Sequence, residues 1–384
     1  MLRLLISAVS LIASLSAAHA FSWNTDKEKL ALDLVRQFQT PRKVPSIAVS
    51  VTLNGQTVLA KGLDSAGSPA PRGEDARYHI GSVTKQFTAA AILAMIEDKV
   101  IVPSTGKPLT LESNGLELFP SLDPNGESSR LTVRRLLTMT SNLPSYTDDD
   151  FALDADQTGV PPAARSIDAE AIIARLRTYK LTGPPQAFSY SNTNYFALSL
   201  VIQVLQNGYG KTSAPVAHKY IADRLLARAG MQDTGFVGEP LPRPGIDAAP
   251  HYLFSPQFDK GAWPLGAGDM ISTAADMARW NAALTTGKVL GPDSVHTMFA
   301  PAVAVTKSLV YQGCGYGMGW YVCRRSGFDL FQHDGVIAGY MASNAIGWKN
   351  GSWMSATVLA DLDATVDIVE LVRSMIQIGA EESR

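Results

Sequence analysis

At 384 residues, 46% of them hydrophobic, the chain is long enough for one large two-lobed unit or two domains with a sizeable core. Lys and Arg (33) nearly balance Asp and Glu (35), and no basic block or aromatic-interleaved basic stripe occurs, which excludes nucleic acid as a partner. The histidines are scattered, and no His-Glu-x-x-His, Cys-x-x-Cys or Gly-x-Gly-x-x-Gly run is present, so neither a metal nor a cofactor is expected.

In chain order, residues 1–20 read as a cleavable export signal. Arg3 supplies the positive start and Leu4 to Ala17 form an apolar run too short to span a bilayer. Ala18-His19-Ala20 is the cleavage pattern. The expectation is a soluble protein, exported to the periplasm or secreted, with no membrane span. Asp26 to Phe38 reads as an amphipathic helix, with Leu30, Leu34 and Phe38 on one face. Ile47–Leu53 and Gln56–Ala60 form a β-hairpin around Asn54-Gly55, the pair favoured in two-residue type I′ turns. An Ala-rich helix follows Ser82. Short helices are expected at Leu131–Met139, Ile167–Leu176 and Tyr195–Leu205.

Past Trp263 a helix is expected over Thr273–Leu284, capped by Thr273. Strand patterns follow at 317–322, 330–333, 340–348 and 353–359, the last two joined at Asn350-Gly351. A helix from Thr365 to Ile378, with Val366, Val369, Val372 and Ile376 apolar, closes the chain. The alternation through Gly315 to Val322 reads as one strand. It would hold Cys314 and Cys323 roughly 30 Å apart, so a disulfide between them requires an intervening turn. Strands at both ends with helices between predict an α/β (α+β) fold. Residues 21–105 with 265–384 form its discontinuous antiparallel sheet domain, flanked by helices, and 106–264 a mainly helical insert. A site would lie in the cleft between the two.

The chemistry-bearing run is Gly81-Ser82-Val83-Thr84-Lys85. Residues three apart on a helix are neighbours, and a lysine whose pKa is lowered by burial or a nearby cation can take a serine's proton. The alternative role for Ser82 is a helix N-cap. A second Ser-x-x-Lys, Ser104 to Lys107, lies in a Pro- and Gly-rich turn and is set aside. Two other segments carry candidates. In Tyr190-Ser191-Asn192 the Asx and hydroxyl cluster reads as a helix entry, which leaves Tyr190 unexplained. A tyrosine hydroxyl with a lowered pKa can shuttle a proton. In His333-Asp334-Gly335-Val336, Gly335 permits close approach of another backbone or of substrate. Lys349-Asn350-Gly351 is a solvent-facing hairpin tip.

Ser82-x-x-Lys85, Tyr190-x-Asn192 and His333-x-Gly335, in that order, resemble the penicillin-recognising serine hydrolases. The branch resembled is that of class C β-lactamases, exported D-Ala-D-Ala carboxypeptidases and related esterases. Leu131 to Pro144, Gly266 to Asp276 and Tyr316 to Trp320 extend the resemblance over nearly the whole chain. The resemblance implies that Ser82 forms an acyl-enzyme, that Lys85 and Tyr190 handle its proton, and that Asn192 positions substrate and Lys85. It also implies an oxyanion hole made by the backbone N–H groups of Ser82 and Val336. The expected partner is a small-molecule or peptide substrate, cell-wall peptide included. A non-catalytic protein of this fold that recognises cell-wall peptide is the competing reading. Two positions depart from the lactamase pattern: His333 stands where lactamases carry Lys, and Asp334 where they carry Thr or Ser. At about 5 Å and an effective dielectric near 20, Asp334 would repel an anionic substrate by on the order of 3 kcal/mol before screening. The substrate expected is therefore an ester, a capped amide or a D-amino-acid derivative, with weak or no β-lactamase activity.

Overall fold

The structure is a computed structural model that describes residues 21–65, 73, 75–119, 128–147, 172, 187–207, 214–245, 247, 265–337, 339–362 and 367–381. The export-signal segment 1–20 lies outside the described residues, as does the helix expected over 167–176 except Ile172.

Among the described residues the largest element is an eight-stranded antiparallel sheet. Its spatial order is Gln56–Asp64, Ser46–Leu53, Ser352–Ala360, Tyr340–Lys349, Phe328–Ile337, Tyr321–Arg325, Gly315–Tyr316 and Val303–Ala304. The N-terminal hairpin thus joins C-terminal strands, with Val49 opposite Val358. Both hairpin tips have the two positive-φ residues a type I′ turn requires: Asn54 and Gly55, Asn350 and Gly351.

Helices cover both faces. Side chains three apart on a strand point to opposite faces, and Asn344 and Gly347 separate the two layers. The Asn344 amide bonds Asn281, on the helix Ala274–Thr285. A Cβ at Gly347 would lie 2.8 Å from Ile376 Cγ2, on the closing helix Asp367–Ala380. Asn344 Nδ2 also donates to Gln86 Oε1 at 2.9 Å, which ties the helix Thr84–Glu97 to the sheet. That helix is buried all round from Thr84 to Met95, rather than along one stripe. Among the described residues between 106 and 264 the longest helix runs from Asn192 to Asn207.

Two expectations are corrected. The first helix runs Thr25–Arg42 behind an Asn24 cap, but its core face is Ala31, Val35 and Phe38, and Leu30 is exposed. One residue of offset turns a helix face by about 100°, and the closing helix, packed beside it, selects the smaller side chains. The strand expected over 315–322 is two short strands with a turn at 317–320. Tyr316 pairs with Tyr321 and Gly315 with Val322, so the next residues outward, Cys314 and Cys323, face each other. Their Cα atoms are 4.5 Å apart and they are disulfide-bonded. The turn that the sequence pattern hid is what permits the bond.

Candidate active site

Ser82 is not a helix cap. It sits in a 3-10 turn, Gly81–Val83, that feeds the helix Thr84–Glu97, and no side chain caps either element. Its hydroxyl is instead the meeting point of two other side chains. Lys85 Nζ lies 2.8 Å from Ser82 Oγ, and the Tyr190 hydroxyl donates to the same oxygen at 2.8 Å. The turn is pressed against the Phe328–Ile337 strand. Gly81 has φ +49°, and a Cβ there would lie 2.8 Å from the Val336 nitrogen. A Cβ at Gly335 would lie 1.9 Å from the Ile80 carbonyl oxygen and 2.8 Å from the Ser82 nitrogen. Both positions require glycine. The close approach brings the backbone nitrogens of Ser82 and Val336 to one junction beside the hydroxyl.

Lys85 is wholly buried. Its amine has two further neighbours, Asn192 Oδ1 and the Ala267 carbonyl oxygen, each at 2.7 Å. Asn192 Nδ2 donates to Thr147 Oγ1, which orients the amide so that its oxygen faces the lysine. Burial holds the Lys85 pKa well below its ordinary value, against the opposing pull of Asp334 and Asp269. A neutral amine has two N–H groups and one lone pair. Both carbonyl oxygens only accept, so an amine in that form gives them its two N–H groups and turns its lone pair to Ser82 Oγ, whereas the ammonium donates to all three oxygens. Tyr190 departs from expectation. Burial raises its pKa, outweighing the opposing effect of the Ser82 hydrogen bond, so it keeps its proton and acts as a donor.

The remaining candidates lie on the Phe328–Ile337 strand. His333 is buried and its Nδ1–H donates to the Asp334 carbonyl at 2.6 Å. Nε2 is then the acceptor and faces the Tyr316 hydroxyl at 3.3 Å. Burial lowers its pKa to about 4, with Lys85 adding to the effect and Asp334 opposing it, so the ring is neutral near pH 7. Asp334 faces the cleft, and its Oδ1 accepts from the Tyr311 hydroxyl at 2.6 Å. Ser82, Tyr190, Tyr311, Tyr321, Asp334 and Val336 line a cleft of about 320 Å³.

The sequence model of the beta-lactamase family matches residues 32–357. The chain belongs to the beta-lactamase family. The family relative PbpX of Bacillus subtilis is 26% identical over 301 residues, 77% of this chain and 66% of that protein. Esterase EstB of Burkholderia gladioli is 26% identical over 294 residues, 68% of this chain and 71% of the esterase. The fold matches the D-amino acid amidase of Ochrobactrum anthropi SV3 with a TM-score of 0.71, at 19% identity, over 92% of this chain and 99% of that one. The chain spans only 57–66% of the length of the first curated relatives it matches. Among the described residues no helix is long and apolar enough to cross a membrane.

The structure brings Ser82, Lys85, Tyr190 and Asn192 into direct contact and sets Gly335 and Val336 against the serine turn. Sequence reasoning missed the partners that hold them. Ala267 contributes a backbone carbonyl, which its side chain does not signal. Tyr316 and Tyr321 arrive through the disulfide-closed turn, and Tyr311 just before it. A second buried histidine, His218, lies behind the Ala267 turn. Its Nε2 is 2.8 Å from Asp269 Oδ2 and its Nδ1 2.6 Å from Glu239 Oε1. Asp269 Oδ1 accepts from the Gly266 N–H, one residue before the carbonyl that receives Lys85. The two carboxylates outweigh burial and raise the His218 pKa to about 9.

Proposed function

We propose that the chain is an exported serine hydrolase that works through an acyl-enzyme on an ester or amide bond. The observation that carries this reading is the meeting of Lys85 Nζ and the Tyr190 hydroxyl at Ser82 Oγ, each at 2.8 Å. In its neutral form, which burial favours, Lys85 gives its N–H groups to the two carbonyl oxygens and its lone pair receives the Ser82 proton. Ser82 attacks the carbonyl carbon, Lys85 takes its proton, and the developing oxyanion sits between the backbone N–H groups of Ser82 and Val336. Such donors contribute roughly 3–4 kcal/mol each in the transition state. Tyr190, still a phenol, is the hydroxyl placed to deliver a proton to the departing alcohol or amine. Water then attacks the acyl-enzyme with the same groups in reverse.

EstB and the D-amino acid amidase support the ester and amide classes. The neutral His333 and the carboxylate of Asp334 remove the positive charge that would hold a substrate carboxylate, which argues against efficient β-lactam turnover. The Cys314–Cys323 disulfide fits an oxidising compartment and supports export. The reading places the site between a sheet domain of residues 21–105 and 265–384 and a helical insert of residues 106–264.

The test is covalent labelling. The wild-type chain and Ser82→Ala are treated with a fluorophosphonate and their intact masses are read. One adduct on the wild type alone is the expected result. No adduct on either protein would transfer the reading to a non-catalytic binder of cell-wall peptide. An adduct on both would mean that another nucleophile is at work.

A further inference from the structure

The cleft beside Ser82 contains a carboxylate that no lysine or arginine among the described residues contacts. Asp334 is half-buried, and only its Oδ1 is bonded, to Tyr311. Among the described residues no side chain donates to Oδ2. No lysine or arginine is among the described residues lining the cleft. The guanidinium nearest the Tyr311 ring belongs to Arg373, 5.3 Å from its centroid, and its nitrogens are engaged elsewhere. They donate to Gln332 Oε1, the Val310 carbonyl and Glu370, and none reaches Asp334. His333, the next residue along the strand, presents an acceptor towards Tyr316 and supplies no charge near pH 7.

The carboxylate is also held rigidly. Tyr311 stacks on Tyr321 with centroids 3.6 Å apart and planes 1° apart, so the hydroxyl that grips Oδ1 is fixed. Tyr190, Tyr311 and Tyr321 all line the same cleft, and aromatic faces attract cations. A fixed carboxylate with one open oxygen, walled by tyrosines, matches a primary ammonium in charge and in hydrogen-bonding capacity.

We propose that Asp334, gripped by Tyr311 and walled by tyrosines, is an ammonium subsite, and that the ester or amide substrates of this chain carry a positively charged amine within its reach. The proposal rests on the reading of the cleft as the acyl-transfer site, and it reaches beyond the exclusion of anionic substrates to name the group that is recognised. An ammonium a few ångströms from the carboxylate gains on the order of ten- to a hundredfold in binding over a neutral isostere, the lower end applying at physiological salt.

The test uses three probes of one shape: benzylammonium, benzyl alcohol and benzoate, titrated calorimetrically into the full chain at low and physiological salt. Benzylammonium is expected to bind tenfold or more tightly than benzyl alcohol, and benzoate most weakly. Asp334→Asn should erase the advantage of benzylammonium. A thermal melt of Asp334→Asn that overlays that of the wild type ties the loss to the charge rather than to the fold. Equal binding of benzylammonium and benzyl alcohol to the wild type overturns the proposal, as does an advantage that survives in Asp334→Asn. Because binding is read without turnover, a chain that fails to take the fluorophosphonate yet prefers benzylammonium would sink the hydrolase reading and keep the subsite. A chain that is labelled at Ser82 but shows no preference would do the reverse.

Discussion

Two buried histidines stand on either side of the Lys85 network, and they are in opposite charge states. His218 is bonded at both ring nitrogens to carboxylates, with Phe236 stacked on it at 3.9 Å, and is held as an imidazolium with a pKa near 9. His333 donates to a backbone carbonyl, accepts from a tyrosine, and is held neutral with a pKa near 4. Both are almost fully excluded from solvent. Burial acts the same way on each; the partners decide the outcome. The arrangement keeps the charge on the far side of the Ala267 turn. The imidazolium of His218 offsets the Asp269 carboxylate, which otherwise pulls the Lys85 pKa upward. The side facing the cleft contributes no second cation.

The largest break in this contrast is Asp269→Asn. It leaves a buried imidazolium with one carboxylate in place of two and weakens the hold on the Gly266 N–H. Removing one partner of a buried pair costs about 3–5 kcal/mol, and chemical denaturation should register a loss of that size at pH 7. Next comes the pH dependence of His218. Its folded pKa lies above the ordinary 6.5, so its contribution is complete below about pH 6.5 and is lost as pH rises through 9. Linkage puts the contribution on the order of 3 kcal/mol. His218→Gln should flatten the alkaline fall in stability seen in the wild type. It also leaves Asp269 less compensated, so the Lys85 pKa rises and the ascending, acid-side limb of the kcat/KM profile moves to higher pH. An unmoved limb would mean that His218 only supports the fold.

His333 has the opposite sign. Its folded pKa lies below 6.5, so the unfolded chain takes up a proton that the folded chain refuses, and stability falls as pH drops from 6.5 towards 4. The magnitude is again on the order of 3 kcal/mol. It falls where carboxylates also titrate, so the visible difference is smaller. Thermal melts between pH 4 and 7 on the wild type and His333→Gln should show the steeper acid slope in the wild type. Parallel slopes would remove His333 from that account.

The sequence pattern carried the frame and the candidate site residues but not the charges around them. The hairpins at Asn54-Gly55 and Asn350-Gly351, the helix after Ser82 and the closing helix were legible because turn chemistry and periodicity are local. Ser82, Lys85, Tyr190 and Asn192 were legible as an ordered set, a family pattern rather than a geometric derivation. What was not legible came from long-range contacts. The Ala267 carbonyl has no side-chain signature. The Cys314–Cys323 bond depends on a turn that strict alternation concealed. Tyr190 was expected with a lowered pKa, whereas its environment is dry enough to raise it. His218 looked like any isolated histidine, because Glu239 and Asp269 lie 21 and 51 residues away.

The smallest change tests whether the neutrality of His333 is set by burial alone or also by its tyrosine. Tyr316→Phe removes the hydroxyl that donates to Nε2 and leaves the rest of the ring in place. An acceptor left buried without its donor costs on the order of 1 kcal/mol. The lost bond favoured the neutral ring, so the pKa of His333 should move up towards 6.5. The acid slope should then be shallower than in the wild type, while the alkaline slope governed by His218 stays unchanged. A variant with both slopes altered would indicate that Tyr316 braces the whole network. A variant with neither altered would mean that burial by itself keeps His333 uncharged.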